Sequence, residues 1–190
     1  MVRSFDGTPV DLDWLESLCA SALWAPSAGN SAGVRMHTIG HELLSQYFEV
    51  ATDEQWRTSA RRADGLQRAG AVVLVTARPQ DYLARYQESD KAASGLGVEE
   101  AWPVPYWHTD AAMATMALLL LIEQDSWHAT LWGNFRNGDA VLNWARIHDE
   151  TLFGAVLVGR GDGNDVPSRS LQRRVPARAQ RVRRVSHRAL

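Results

Sequence analysis

Ala71-Val72-Val73-Leu74-Val75-Thr76 is a continuous apolar run closed by a threonine. A strand with one face in water alternates apolar and polar residues, so an unbroken run of this length predicts a strand covered on both faces. That requirement sets the architecture: helices must lie on either side of a sheet. Working outward, Val34-Arg35-Met36-His37-Thr38-Ile39 alternates with period two and is read as a second strand. Short strands are expected at 130–132 and 151–158. Between them lie helical patterns. Leu12, Leu15, Leu18, Cys19, Ala22 and Leu23 follow the helical period behind Asp11 or Asp13 as cap, and stop at Ala25-Pro26. Further helices are expected at 41–51, 53–68, 81–87, 106–125 and 139–147. The stretch 111–122 is apolar nearly all round, which predicts burial in a core or a subunit interface. Residues 88–105, with Gly95, Gly97, Pro103 and Pro105, read as a long loop, a feature that in a compact domain is usually functional or mobile.

The chain has 190 residues, suited to one domain, and its 45% hydrophobic and 22% charged residues describe a folded, soluble protein. Its longest apolar stretch is shorter than the roughly 20 residues of a bilayer span, so no membrane partner is expected. Met1-Val2-Arg3-Ser4-Phe5-Asp6 turns polar at once, unlike a signal segment, and the expected location is cytoplasmic. A single cysteine, Cys19, excludes an internal disulfide and a cysteine-based zinc site; on the apolar helix face it reads as core. The net charge of −2 hides an asymmetry: eight arginines and no acid follow residue 168, leaving residues 1–168 at −10. The tail lacks interleaved aromatics, so nucleic acid is not the expected partner. Its opposite-charge surface is the acidic body of the same chain or of a second copy.

Several motifs fail for want of context. Gly159-Arg160-Gly161-Asp162-Gly163 follows a strand, but its third glycine is misplaced for a dinucleotide turn and no helix is expected before Pro167. Its Arg160-Gly161-Asp162 triplet is read as a chance match to an adhesion motif. His37 and His41 straddle a strand end and a helix start instead of sharing a helical face, so no metal site is assigned. Ser27 has neither a neighbouring base nor a nucleophile elbow.

Five segments acquire meaning from their order. Arg3-Ser4-Phe5 with Pro9-Val10 comes first, then Ala25-Pro26-Ser27-Ala28-Gly29-Asn30. Asp110-Ala111-Ala112, Trp132-Gly133-Asn134-Phe135 and Ser168-Arg169-Ser170-Leu171 follow. Across nearly the whole chain this order resembles the nitroreductase family of FMN-dependent oxidoreductases. The resemblance implies an α+β fold, an α/β/α sandwich around a mainly antiparallel sheet, assembled as an intertwined homodimer with FMN at the interface. It also implies a single domain over residues 1–168 and a basic extension, 169–190, that contacts the flavin, the partner subunit or both.

The same resemblance implies the site. Arg3, Ser4 and Arg169 would hold the flavin phosphate, a task suited to cationic forks and a hydroxyl. Ser27 and Asn30 would face the ring from the partner subunit, and Trp132 and Gly133 would offer backbone N–H near its reactive nitrogen. NAD(P)H would be the hydride donor and a small molecule the electron acceptor, with no catalytic acid or base to name. Trp107, His108 and the 88–105 loop are candidates for the substrate wall by position. Four departures from the family pattern stand out: Val2 and Asp6 where cations are usual, Ala32 for a glutamine and Val34 for a tryptophan. Asp6 would oppose the negative charge of a reduced flavin if it pointed inward. These losses keep a second expectation open, a non-catalytic flavin-binding or structural dimer of the same fold.

Overall fold

The computed structural model describes residues 1–134, 136–182 and 184; the side chains of Asp125 and Arg169 lie outside that description. Its sheet comprises Val34–Ile39 (β1), Ala71–Ala77 (β2), His128–Trp132 (β3) and Thr151–Gly159 (β4), all pairs antiparallel, in the order β1-β2-β4-β3. The β2 run is central and every residue of it is buried, as its composition requires. Its side chains separate by parity. Ala71, Val73 and Val75 enter one apolar cluster, and Val72 and Leu74 enter another on the opposite face.

The helices sort onto these faces. Leu12–Ala22 (α1) and Tyr106–Ile122 (α6) cover the first, contributing Leu15, Cys19, Ala111, Leu118 and Ile122. Leu44–Ala51 (α2) and Gly138–Trp144 (α7) cover the second, with Tyr47, Phe48 and Val141. The α/β/α sandwich is therefore present in one chain. Asp11, not Asp13, caps α1: its carboxylate accepts from Trp14 N at 3.1 Å. Burial pushes the Cys19 thiol up to about 12, consistent with an inert core residue.

One expectation needs correction. The window 53–68 is two helices, Glu54–Ser59 (α3) and Ala63–Gln67 (α4), because no large apolar side chain between Trp56 and Ala63 gives a continuous helix a face to bury; Ala60 is extended instead. The break exposes Arg61 and half-buries Arg62 beside the amino terminus. Helix α6 is not buried all round: Met113, Met116 and Leu120 are 40%, 53% and 57% exposed along one flank. The 88–105 loop is anchored by the buried Trp102, whose Nε1 donates to Leu96 O at 2.8 Å. Trp102 packs edge-on against Tyr82, Tyr86 and Trp107, and Tyr82 and Tyr86 come from Pro79–Gln87 (α5).

The first residues run beside the chain leaving β4. Phe5, fully buried, bridges Gly161; Asp6 N donates to Arg160 O at 3.0 Å and Asp162 N to Ser4 O at 3.2 Å. No helix among the described residues is long and apolar enough to cross a membrane.

Candidate functional site

The expected site residues fall into three separate cavities of the single chain. Arg3 and Ser4 line one of about 310 Å³, which also collects Arg61, Arg62 and Arg68. Trp132 and Gly133 line a second of about 460 Å³. Ser27 and Asn30 line a third of about 350 Å³. One chain thus pairs Arg3 with Ser4, Trp132 with Gly133 and Ser27 with Asn30, and does not bring the pairs together. Arg169 opens a 3-10 turn, Arg169–Gln172, capped by Ser168; its side chain is outside the described residues, as are Arg183 and residues 185–190 of the tail.

At the Arg3–Ser4 corner, the α3–α4 break brings in Arg61 and Arg62 and the end of α4 brings in Arg68. Gly65 is required here by close approach: a Cβ on it would lie 2.8 Å from both Arg3 O and Ser4 Oγ. Arg62 Nη2 donates to Val166 O at 2.8 Å, while its buried Nε has no partner among the described residues. Asp162 is the surprise. Its Oδ2 accepts from Ser4 Oγ at 2.8 Å and from Arg68 Nη2 at 2.9 Å, and its Oδ1 from Asn164 N at 2.8 Å. The Asn164 backbone bond and the Ser4 hydroxyl hold this carboxyl below its ordinary range. Arg68 also pairs with Asp64.

The Trp132–Gly133 cleft follows the end of β3. Trp132 stands 5.4 Å from Trp56, ring centre to ring centre, and 5.9 Å from Phe48, so one side of the cleft is an aromatic wall. Asn134 accepts from Tyr47 OH through Oδ1 at 3.4 Å, and its buried Nδ2 has no partner among the described residues. Burial pushes the Tyr47 hydroxyl far above its ordinary value, so it stays a neutral donor.

The Ser27–Asn30 loop is built by hydrogen bonds to a buried acid. Asp110, in the second turn of α6 and 2% exposed, accepts from Ala28 N at 2.8 Å and from Tyr82 OH at 2.9 Å through one oxygen. Ser27 Oγ accepts from Ala32 N at 3.2 Å, closing the loop, and Arg85 Nε donates to Gly29 O at 2.9 Å. Gly29, Asn30 and Ala32 all have positive φ.

The departures take definite places. Asp6 is exposed and accepts from Thr8 N at 2.8 Å, closing its own turn instead of facing the cavity. Val2 and Val34 pack into the two apolar clusters. Trp107 is buried among Tyr82 and Trp102 and lines none of the three cavities; His108 beside it is half-buried, and burial lowers its pKa. Arg160 stacks over Trp127 at 4.9 Å while Asp162 turns to Ser4, so the adhesion-like triplet is spent internally. Sequence reasoning missed Arg61, Arg62, Arg68, Asn134 and Asp162. Asn134 lay inside the 132–135 segment of the resemblance, and the polar stretch 57–62 was the available signal for the helix break that brings in Arg61 and Arg62.

A flavin mononucleotide needs anion donors at its phosphate and amide donors with an apolar wall at its ring. The unpartnered Arg62 Nε and Asn134 Nδ2 belong to cavities of those two kinds, so the residues fit, apart from the engaged Ser4 hydroxyl.

A family model described as the nitroreductase family matches residues 1–160. Among curated proteins none matches in sequence. Solved structures do. A nitroreductase-like protein from Streptococcus mutans superposes with a TM-score of 0.71 at 16% identity, over 97% of this chain and 93% of that one. A protein from Staphylococcus epidermidis described as an NAD(P)H:FMN oxidoreductase gives 0.68 at 16%, over 97% and 91%. One from Exiguobacterium sibiricum, described as a nitroreductase and solved with FMN, gives 0.66 at 15%, over 92% and 88%. At such identities the likeness is one of fold.

Proposed function

The chain belongs to the nitroreductase family, and from that premise we propose that it is an FMN-dependent oxidoreductase working as a homodimer. The observation that carries the reading is that two of the buried polar atoms without a partner among the described residues, Arg62 Nε and Asn134 Nδ2, sit one at an arginine-rich corner and one beside an aromatic cleft. Arg3, with Arg61, Arg62 and the tail's Arg169, would hold the phosphate, and Ser4 its remaining oxygen. Trp132 and Gly133 would bound the ring, with Asn134 Nδ2 as a free amide donor, and Ser27 and Asn30 would reach it from a second copy. Bound FMN supplies hydride acceptance from NAD(P)H and delivery to an acceptor such as a quinone or nitro compound, in a ping-pong cycle. The exposed flank of Met113, Met116 and Leu120, three large apolar side chains along one side of a helix, supports the second copy. The basic extension 169–190 would lie on the flavin, the acidic partner or both.

Visible absorbance tests the reading. Purified protein, with FMN added where needed, is expected to bind flavin that bleaches with NAD(P)H and recovers with an acceptor. Protein that stays colourless and cannot be reconstituted overturns it; flavin bound but never bleached selects the non-catalytic reading. Sedimentation at micromolar concentration is expected to show a dimer, and a stable folded monomer contradicts the shared site.

A further inference from the structure

Two donors of the Arg3–Ser4 cavity converge on one oxygen of Asp162: the Ser4 hydroxyl at 2.8 Å and Arg68 Nη2 at 2.9 Å. A hydroxyl and a guanidinium meeting at one anionic oxygen is the way a phosphate oxygen is held. The carboxylate is locked in place. Asn164 N fixes its other oxygen, and the backbone around it is tied to Ser4 O and Phe5. Its side chain is 13% exposed, so it lies inside the corner instead of over it. Arg3, Arg61 and Arg62, by contrast, form no ion pair among the described residues. The corner, lined also by Asp64 and Asp165, therefore holds cations available to an anion together with an acid already seated on the hydroxyl.

We propose that Asp162 is an internal stand-in for a bound phosphate group, occupying Ser4 and Arg68 until an incoming phosphate displaces it. On the reading that this corner takes FMN, Asp162 sets how strongly the chain prefers FMN over phosphate-free riboflavin. A phosphate entering here meets a like charge and must break the Ser4 bond before making its own. Riboflavin, lacking the phosphate, meets neither obstacle. Asp162 acts on the cofactor's affinity, not on the reacting ring.

The experiment titrates apoprotein with FMN and with riboflavin by quenching of flavin fluorescence, for wild type and Asp162→Asn. The amide keeps an acceptor for Asn164 N and removes the charge; Asp162→Ser is run in parallel so that one misfolded variant does not decide the matter. The expected result is FMN affinity about tenfold higher in the variants, roughly the worth of one charge-assisted hydrogen bond, with riboflavin changed less than about twofold. An unchanged FMN-to-riboflavin ratio in protein that binds both overturns the inference and leaves the flavin reading intact. Inorganic phosphate is the second probe. If no flavin binds but phosphate raises the melting temperature of the variants and not of wild type, the stand-in role holds and the flavin reading falls. If neither flavin nor phosphate binds wild type or variants, both fall.

Discussion

Asp110 and Asp162 each accept a hydrogen bond at 2.8 Å from a segment expected to meet the cofactor, yet Asp110 takes it from the backbone N–H of Ala28 and Asp162 from the side chain of Ser4. Asp110 is 2% exposed and also receives Tyr82 OH. Its bonds shape the loop and leave the Asn30 side chain exposed and Ser27 lining the cavity. The bonds of Asp162 use up a donor that the site itself would need. An acid satisfied by backbone builds a binding segment; an acid satisfied by a site's own side chains fills one. The same chemistry has opposite consequences, decided by which atom donates.

The largest expected effect breaks the loop end. Asp110→Ala leaves Tyr82 OH and Ala28 N–H without their acceptor in a buried setting, a loss of about 3 kcal/mol. For a chain of this size that lowers the melting temperature by about 6–12 °C. Asp162→Ala should move it by no more than about 2 °C, since its partners Arg68 and Asn164 reach water. Thermal melts of the two variants check this. Equal losses would show that both acids are plain staples and would erase the contrast.

A smaller effect sharpens it through two glycines. Gly29 has φ +62 and a Cβ there would lie 2.7 Å from a Tyr86 ring carbon; Gly163, beside Asp162, has φ +77 with nothing within 4 Å. Alanine costs the left-handed strain at both, about 1 kcal/mol, but only at Gly29 must a packed ring also move. Gly29→Ala is expected to cost about 1–2 kcal/mol and to weaken flavin binding. Gly163→Ala should cost about 1 kcal/mol and leave binding unchanged. Melting curves with flavin titrations decide it, and identical behaviour at both positions would mean that the Tyr86 contact does not shape the loop.

The sandwich was legible in the sequence because burial on two faces leaves a compositional mark. A run such as 71–76 has nowhere else to go, and its parity split between two clusters follows from strand geometry alone. The loop end was legible too, since Pro26 and the small residues after it announce a turn. The Arg3–Ser4 corner was not. Its arginines come from a helix break that needs tertiary packing to occur, and Asp162 sits 158 residues from the hydroxyl it binds. No local pattern encodes that pairing; the glycines around Asp162 suggested a turn, and the partner across the corner stayed invisible. The apolarity of 111–122 was read correctly, but a sequence cannot say which flank of a helix its own chain will leave uncovered.

The smallest effect uses pH to separate the two ends without changing ligand or loop. His108, in the first turn of α6, has its pKa lowered by burial, and Asp162 has its own lowered by the Asn164 and Ser4 bonds. In both cases the unfolded chain binds the proton more readily than the folded one, so each contributes stability above its unfolded pKa that is lost as the pH falls through the folded value. The windows differ. The His108 contribution is complete above about pH 6.5 and fades below it, whereas that of Asp162 persists to the carboxylate range near pH 4 and fades only in stronger acid. Melting temperatures of His108→Gln and Asp162→Asn are therefore measured against wild type from pH 8 to pH 3. Wild type should lose stability relative to His108→Gln as the pH falls from 7 to 5. The Asp162→Asn difference should be flat over that interval and change only below it. If both differences change in the same window, the two ends titrate as one unit, and the separation drawn between the loop and the Arg3–Ser4 corner does not hold.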